Sequence, residues 1–177
     1  MTELRARPEA AEYPSFYAGY VASVPDGDIT DVLQTASTDL NASLASIPEA
    51  SGAHAYAEGK WTVRTVIGHM IDAERIFSYR LLRIARGDAT PLPGFEENGF
   101  ALTAESDSRS VAELAGEMAA VRASTLALLA SLPDAAWARS GTVNNAHVSV
   151  RALAYITTGH ALHHLNVLRE RYGVARA

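Results

Sequence analysis

The 177-residue chain predicts an all-α fold, a four-helix up-down bundle with a long crossing loop between its second and third helices. Three observations carry this expectation. Four segments of roughly 20 residues repeat their apolar positions at helical spacing. Cap residues, prolines and glycines bound each of them. Runs that alternate apolar and polar residues between hairpin turns are absent, so no strand is expected.

The first helical segment runs from about Asp28 to Ile47, with Thr30 in the N-cap role. Val32, Leu33, Leu40, Leu44 and Ile47 form its stripe, and Pro48 ends it. The second runs from about Thr62 to Arg86, buries Val66, Ile67, Met70, Phe77 and Leu81, and stops at Gly87. The third runs from about Ser108 to Ser131, where Ser110 and Glu113 have capping-box spacing and Pro133 follows the end. The fourth runs from about Ser149 to Arg171, with Leu153, Thr157, His160, His164 and Leu168 along one stripe and Gly173 closing it. Residues 28–177 make up the bundle, and residues 1–27 an N-terminal arm or short helix around Pro14 to Val21. The connection 87–107 is long and rich in Gly and Pro, yet carries Leu92, Phe95 and Phe100. A connection of that length is disordered or functional, and its apolar residues favour packing across one end of the bundle.

Composition excludes several functions. With 48% hydrophobic and 20% charged residues the chain is globular. A net charge of −5 and no Lys/Arg run leave no electrostatic grip on nucleic acid. There is no apolar stretch of ~18 residues to span a membrane and no signal-like N-terminus. A cytoplasmic protein acting on a small molecule is expected. The chain has no cysteine, so it has no disulfide, thiolate zinc ligand or sulfur nucleophile of its own. P-loop, dinucleotide and GxSxG motifs are also missing.

The chemistry is in the histidines. His160 and His164 are four residues apart and lie one turn apart on one face, where two imidazoles can share a metal ion. His163 lies about 100° around the helix and points to the rim or a loop. A third ligand must come from another segment, and His69 is the candidate. The order helix, Pro stop, Trp, helix with Gly-His occurs twice, through Trp61 with Gly68-His69 and Trp137 with Gly159-His160. A mid-helix glycine costs about 1 kcal/mol against alanine, and here suggests that the two helices approach closely. Three neutral histidines with open positions make a catalytic rather than a structural site, suited to Zn or Ni and also to Fe or Cu. The competing reading is that these are hydrogen-bonded core histidines and hold no metal.

Other candidates are weaker. Asp72, three residues after His69, could orient a ligand or accept a proton, against the alternative of a helix-surface acid. Glu74 and Arg75 read as solvated helix residues, and His147 as a packing or capping residue. His54 reads as a solvated loop residue, and Glu96, Glu97 and Asn98 as a polar loop tip that could reach a substrate.

The segments 59–95 and 148–173 resemble the DinB-like (DinB/YfiT) superfamily of metal-dependent four-helix-bundle proteins. The shared pattern is a Trp before the second helix, a His within it and H-x3-H in the fourth, matched here by Trp61, His69, His160 and His164. The resemblance extends from about residue 28 to 173. It implies a three-histidine site for a divalent metal, commonly nickel or zinc, near one end of the bundle, and a homodimer. It also implies a choice of activities, since similar proteins include S-transferases that use bacillithiol or mycothiol, a mycothiol-dependent maleylpyruvate isomerase and proposed hydrolases. The first expectation is thiol-dependent S-transfer to a small electrophile. A low-molecular-weight thiol, held as thiolate by the metal, would be the nucleophile, with Asp72 or His163 handling the proton. The alternatives are a hydrolase using metal-bound water and a non-catalytic metal-binding stress protein.

Overall fold

Each long helix starts at a side chain that satisfies its free backbone donors. A computed structural model describes residues 3–175. After short 3₁₀ turns comes α1, Ala18–Ser23. Helix α2, Ile29–Ala45, is capped by Asp28, which accepts from the Thr30 amide at 2.9 Å. Thr30, the expected cap, instead sits in the first turn and donates its own hydroxyl to Asp28. Helix α3, Val63–Ala85, starts at Thr62. Helix α4, Glu97–Thr103, starts at Glu96, whose carboxylate accepts from the Asn98 and Gly99 amides. Helix α5, Val111–Ala130, opens on the expected Ser110–Glu113 capping box. The short α6, Asp134–Trp137, precedes strands β1, Ser140–Val143, and β2, Ala146–Ser149. Helix α7, Val150–Tyr172, runs from a Ser149 cap to Gly173, whose φ of 71° gives the left-handed stop that glycine favours.

Helices α2, α3, α5 and α7 form the four-helix bundle. Each of α2 and α3 packs against both α5 and α7, so α2 and α3 lie on a diagonal. One end gathers the C-termini of α2 and α7 with the N-termini of α3 and α5. There Glu49 links Arg64 to the Val111 amide, and the Tyr172 hydroxyl donates to the Trp61 carbonyl at 2.6 Å. The order is therefore up-down-down-up, a departure from simple alternation. Parallel α3 and α5 need a connection as long as the bundle, and 86–110 supplies it. This segment does not cross one end, as its length had suggested, but returns along α3. Leu92 exchanges backbone bonds with Thr142 and Asn144 at 2.9 Å each, α4 packs on α3, and Ser106 reaches Gly68.

The β1–β2 hairpin corrects the expectation of no strand. Asn144 and Asn145, with φ of 49° and 62°, form the two-residue turn. Both need positive φ, and asparagine tolerates it. The arm is part of the core: α1 packs on α7, Val21 and Val24 are buried, and Glu12 binds Ser149 and Arg151. Among the described residues no helix is long and apolar enough to cross a membrane.

The core divides into two apolar clusters. One gathers Ile29, Leu33, Leu81 and Leu129 with Trp137 and Tyr155; the other gathers Leu40, Leu44, Val66, Met70, Leu114 and Leu165. Between them lies a polar layer. Glu74, expected to be solvated, is 2% exposed and takes a two-point bond from Arg122, which is 1% exposed, at 2.7 and 2.6 Å. Burial is tolerated because each charge has the other as its partner. Arg122→Ala strands the carboxylate and is expected to cost about 3–5 kcal/mol, read by urea denaturation. Glu74→Leu with Arg122→Met should recover most of that loss. A single-variant cost below about 1 kcal/mol would overturn this account.

Candidate metal centre

His69 is on the seventh residue of α3, and its face is turned to α7. His160 and His164 come from successive turns of α7. The three rings converge: centroids are 5.0 Å apart for His69–His160, 4.7 Å for His69–His164 and 4.5 Å for His160–His164. One nitrogen from each lies within 4.8 Å of the other two, and the Nε2 atoms of His69 and His160 are 3.1 Å apart. Two nitrogens bound at about 2.0–2.1 Å to one ion stand about 3.3 Å apart at the tetrahedral angle and about 2.9 Å at a right angle. The His69–His160 spacing falls between these values, and with a His164 nitrogen within 4.8 Å of both the donor set suits a divalent cation. Among the described residues the cluster contains no carboxylate.

The rings are held in place by aromatic neighbours. Trp61 lies 4.9 Å from His69, while Phe77 and Tyr20 meet His160 edge-on at 5.4 and 5.5 Å. Burial, with His163 adding like charge, pushes the pKa of His69 down to about 4. Burial and the neighbouring His69 and His163 push His164 down to about 3, and burial holds His160 well below its usual range. All three are neutral at pH 7 and keep lone pairs for a cation.

The two glycines before the histidines have a reason other than the expected contact between their helices. A Cβ at Gly159 would stand 2.1 Å from the Tyr20 carbonyl oxygen, and one at Gly68 would stand 2.0 Å from the Ser106 hydroxyl. The arm crosses α7 at one glycine, and the returning connection crosses α3 at the other. The echo does not extend to the tryptophans: Trp61 touches the site, whereas Trp137 is fully buried in the first cluster.

The remaining candidates separate. His163 is exposed at the rim, 5.4 Å from Tyr20 and 5.0 Å from His164 between ring centroids. Asp72 is half-buried outside the cluster. Burial raises its pKa, with Arg75 and Glu117 as its charged neighbours. His54 is exposed and meets Tyr172 edge-on, and His147 is exposed on β2. His69 and His160 form part of the wall of a cavity of about 410 Å³, within the size range of small-molecule sites. Glu96 and Glu97 reach this wall, as do Tyr17, Tyr20 and Arg80, which the sequence reading missed. Arg80 had left a signal. It is eleven residues after His69, which places it about 20° away on the same helix face.

Bundle and site together define a helical protein with a three-histidine centre open to a small-molecule cavity. The chain belongs to the DinB superfamily, whose family model matches residues 33–168. Its structure is similar to that of YfiT from Bacillus subtilis, described as a probable metal-dependent hydrolase with an unusual four-helix bundle topology. The TM-score is 0.70 at 16% sequence identity, over 98% of this chain and 100% of YfiT. No curated protein matches the chain.

Two measurements follow from this geometry. Unfolded imidazoles take up protons near pH 6.5, whereas those of His69 and His164 do so only near about 4 and about 3. The unfolded state therefore binds more protons below pH 6.5, and stability of the metal-free protein falls as pH drops through that window. The slope reaches about 1.4 kcal/mol per pH unit for each such imidazole. Chelator-treated protein should melt at a lower temperature at pH 5 than at pH 7.5, and His69→Gln should flatten the difference; equal midpoints in the unaltered chain count against it. Gly159→Ala should push α1 off α7, because the added Cβ would meet the Tyr20 carbonyl. The α1 amides should then exchange with solvent faster than in the unaltered chain, and an unchanged rate contradicts the crossing.

Proposed function

We propose that this chain is a divalent-cation-dependent enzyme that directs an external nucleophile onto a small electrophile, with hydrolysis of an amide or ester as the leading reaction. The observation that carries this reading is the convergence of three uncharged imidazoles, two of them on the cavity wall. His69, His160 and His164 would hold the cation, with zinc or nickel suited to three nitrogen donors. When bound, it supplies Lewis acidity, polarising a carbonyl and lowering the pKa of a water or thiol that shares its coordination sphere.

The chain's own residues then position and protect. Tyr20 and Phe77 fix the His160 ring, and Trp61 packs against His69. His163, exposed beside Tyr20 at the rim, is placed to exchange protons with solvent. Asp72 is less well placed for that task, because its charged neighbours are Arg75 and Glu117 and it is not on the cavity wall. The description of YfiT supports water as the nucleophile. A low-molecular-weight thiol as cofactor is the second reading, supported by the absence of cysteine, which leaves any sulfur nucleophile to come from outside. We also propose a homodimer, supported by the family resemblance; light scattering that gives a monomer's mass would reject it.

Elemental analysis of purified protein tests the centre. Stoichiometric zinc or nickel is expected, with its loss in His164→Ala. A metal-free wild type beside an equally folded variant would sink the reading. Cobalt-substituted protein distinguishes the nucleophiles: a sulfur-to-metal charge-transfer band on adding a thiol supports S-transfer, and a silent spectrum leaves hydrolysis. His163→Ala should retain the metal and lower kcat about 10²-fold, the small end of general acid–base effects.

A further inference from the structure

Two arginines of the bundle are almost fully buried, and they differ in one respect. Arg122, 1% exposed, has the Glu74 carboxylate. Arg80, 3% exposed, has no carboxylate within ion-pair distance among the described residues. Its partners are neutral: the Pro93 carbonyl oxygen at 2.8 Å, the Tyr17 hydroxyl, and the Phe95 ring, whose centroid is 5.7 Å from the guanidinium carbon. A guanidinium cannot shed its charge in a protein. Burying it without an anion is costly, and the cost is recovered when an anion arrives.

The location of Arg80 gives this imbalance a use. It lines the same cavity as His69 and His160, and is the one permanent cation on that wall among the described residues. Glu96, on the same wall, directs its carboxylate to the Asn98 and Gly99 amides. Glu97 is exposed there and forms no ion pair with Arg80. His69 and Arg80 share one face of α3 at a separation of about 16 Å along the axis, and both reach the same cavity wall. Phe77 and Leu153 contribute apolar wall to the cavity, and Phe95 lies against the Arg80 end.

We propose that Arg80 is the substrate-anchoring residue of this cavity, binding the carboxylate of a small acid whose apolar body crosses the cavity toward the three histidines. Resting on the enzymatic reading above, the substrate class is an amide or ester, or another electrophile, that carries a remote carboxylate. The carboxylate site itself stands on Arg80 alone.

Protein-observed NMR titration tests it, with 4-phenylbutyrate against its neutral amide, 4-phenylbutanamide. Phenylbutyrate should bind at least tenfold more tightly than the amide and shift the resonances of Arg80 and Phe95. Arg80→Gln should remove that preference while leaving amide binding unchanged, and Arg80→Lys should restore part of it. Equal binding of acid and amide to the unaltered protein overturns the proposal, whether or not the variants fold. So does an acid preference that survives in folded Arg80→Gln. The same titration on His164→Ala separates this proposal from the metal reading. Acid preference retained there places the carboxylate at Arg80, whereas its loss there means that the acid had bound at the histidine centre, which also overturns the proposal. A protein that shows the preference and binds no metal keeps the anchor and loses the metal-dependent function.

Discussion

The Glu74–Arg122 ion pair sets the register on which the site depends. Both carboxylate oxygens are engaged, at 2.7 and 2.6 Å, and Ser37 of α2 lies 3.4 Å from the same guanidinium. Three helices thus meet at one buried polar point between two apolar clusters. Sliding α3 by one turn, about 5.4 Å, would leave two desolvated charges without partners, whereas apolar contacts alone tolerate such shifts more readily. His69 is five residues before Glu74, so it sits about 7.5 Å along the helix and about 140° around it. With Glu74 fixed toward α5, His69 is turned toward α7, at the height of His160. Packing energy and site geometry are coupled through this pair.

The bundle supplies the three imidazoles, and segments outside it supply most of the cavity. Tyr17 and Tyr20 come from the arm, Phe95 from the returning connection, and Asn144 from the hairpin turn. These pieces are held where a side chain is missing or an edge is open. Tyr20 crosses α7 over Gly159, Ser106 crosses α3 over Gly68, and Leu92 pairs with the open edge of β1. The parallel course of α3 and α5 makes the connection long, and its length carries Phe95 and Glu96 back over the site. The imidazoles and Arg80 thus sit in the bundle, while its attachments supply most of the remaining wall, an arrangement in which one fold can present differently shaped cavities.

Much of this was legible in the sequence because helical periodicity and caps are local signals. The four long helices, the Ser110–Glu113 box, the Gly173 stop and the one-turn pairing of His160 with His164 follow from spacing, while His69 was legible only through its Gly-His echo and the family resemblance. Periodicity says which face is buried and leaves open which helix covers it, so the order of directions and the diagonal placement of α2 and α3 were not readable. The hairpin is only four residues per strand, and its Asn-Asn turn lacks the glycine that usually marks such a turn. Glu74 and Arg80 were misread or passed over for one reason. Charged residues on a helix are normally solvated, and only tertiary neighbours show that one is paired in the core and the other lines a cavity.

The polarity of the cavity follows from these placements. Three neutral ligands leave the charge of a held divalent cation undiminished, unlike a centre that includes a carboxylate. Arg80, lacking a carboxylate of its own, adds a second positive pole on the same face of α3. Low-dielectric walls of Phe77, Phe95 and Leu153 limit the screening between the poles and whatever lies between them. Glu96 and Glu97 reach the same wall, Glu96 held by the Asn98 and Gly99 amides, and neither forms an ion pair with Arg80, so under the proposed reading an anion at Arg80 would come from the ligand. With a cation held at the histidines, such a cavity would discriminate by charge at two points before any contact with the body of the substrate is counted.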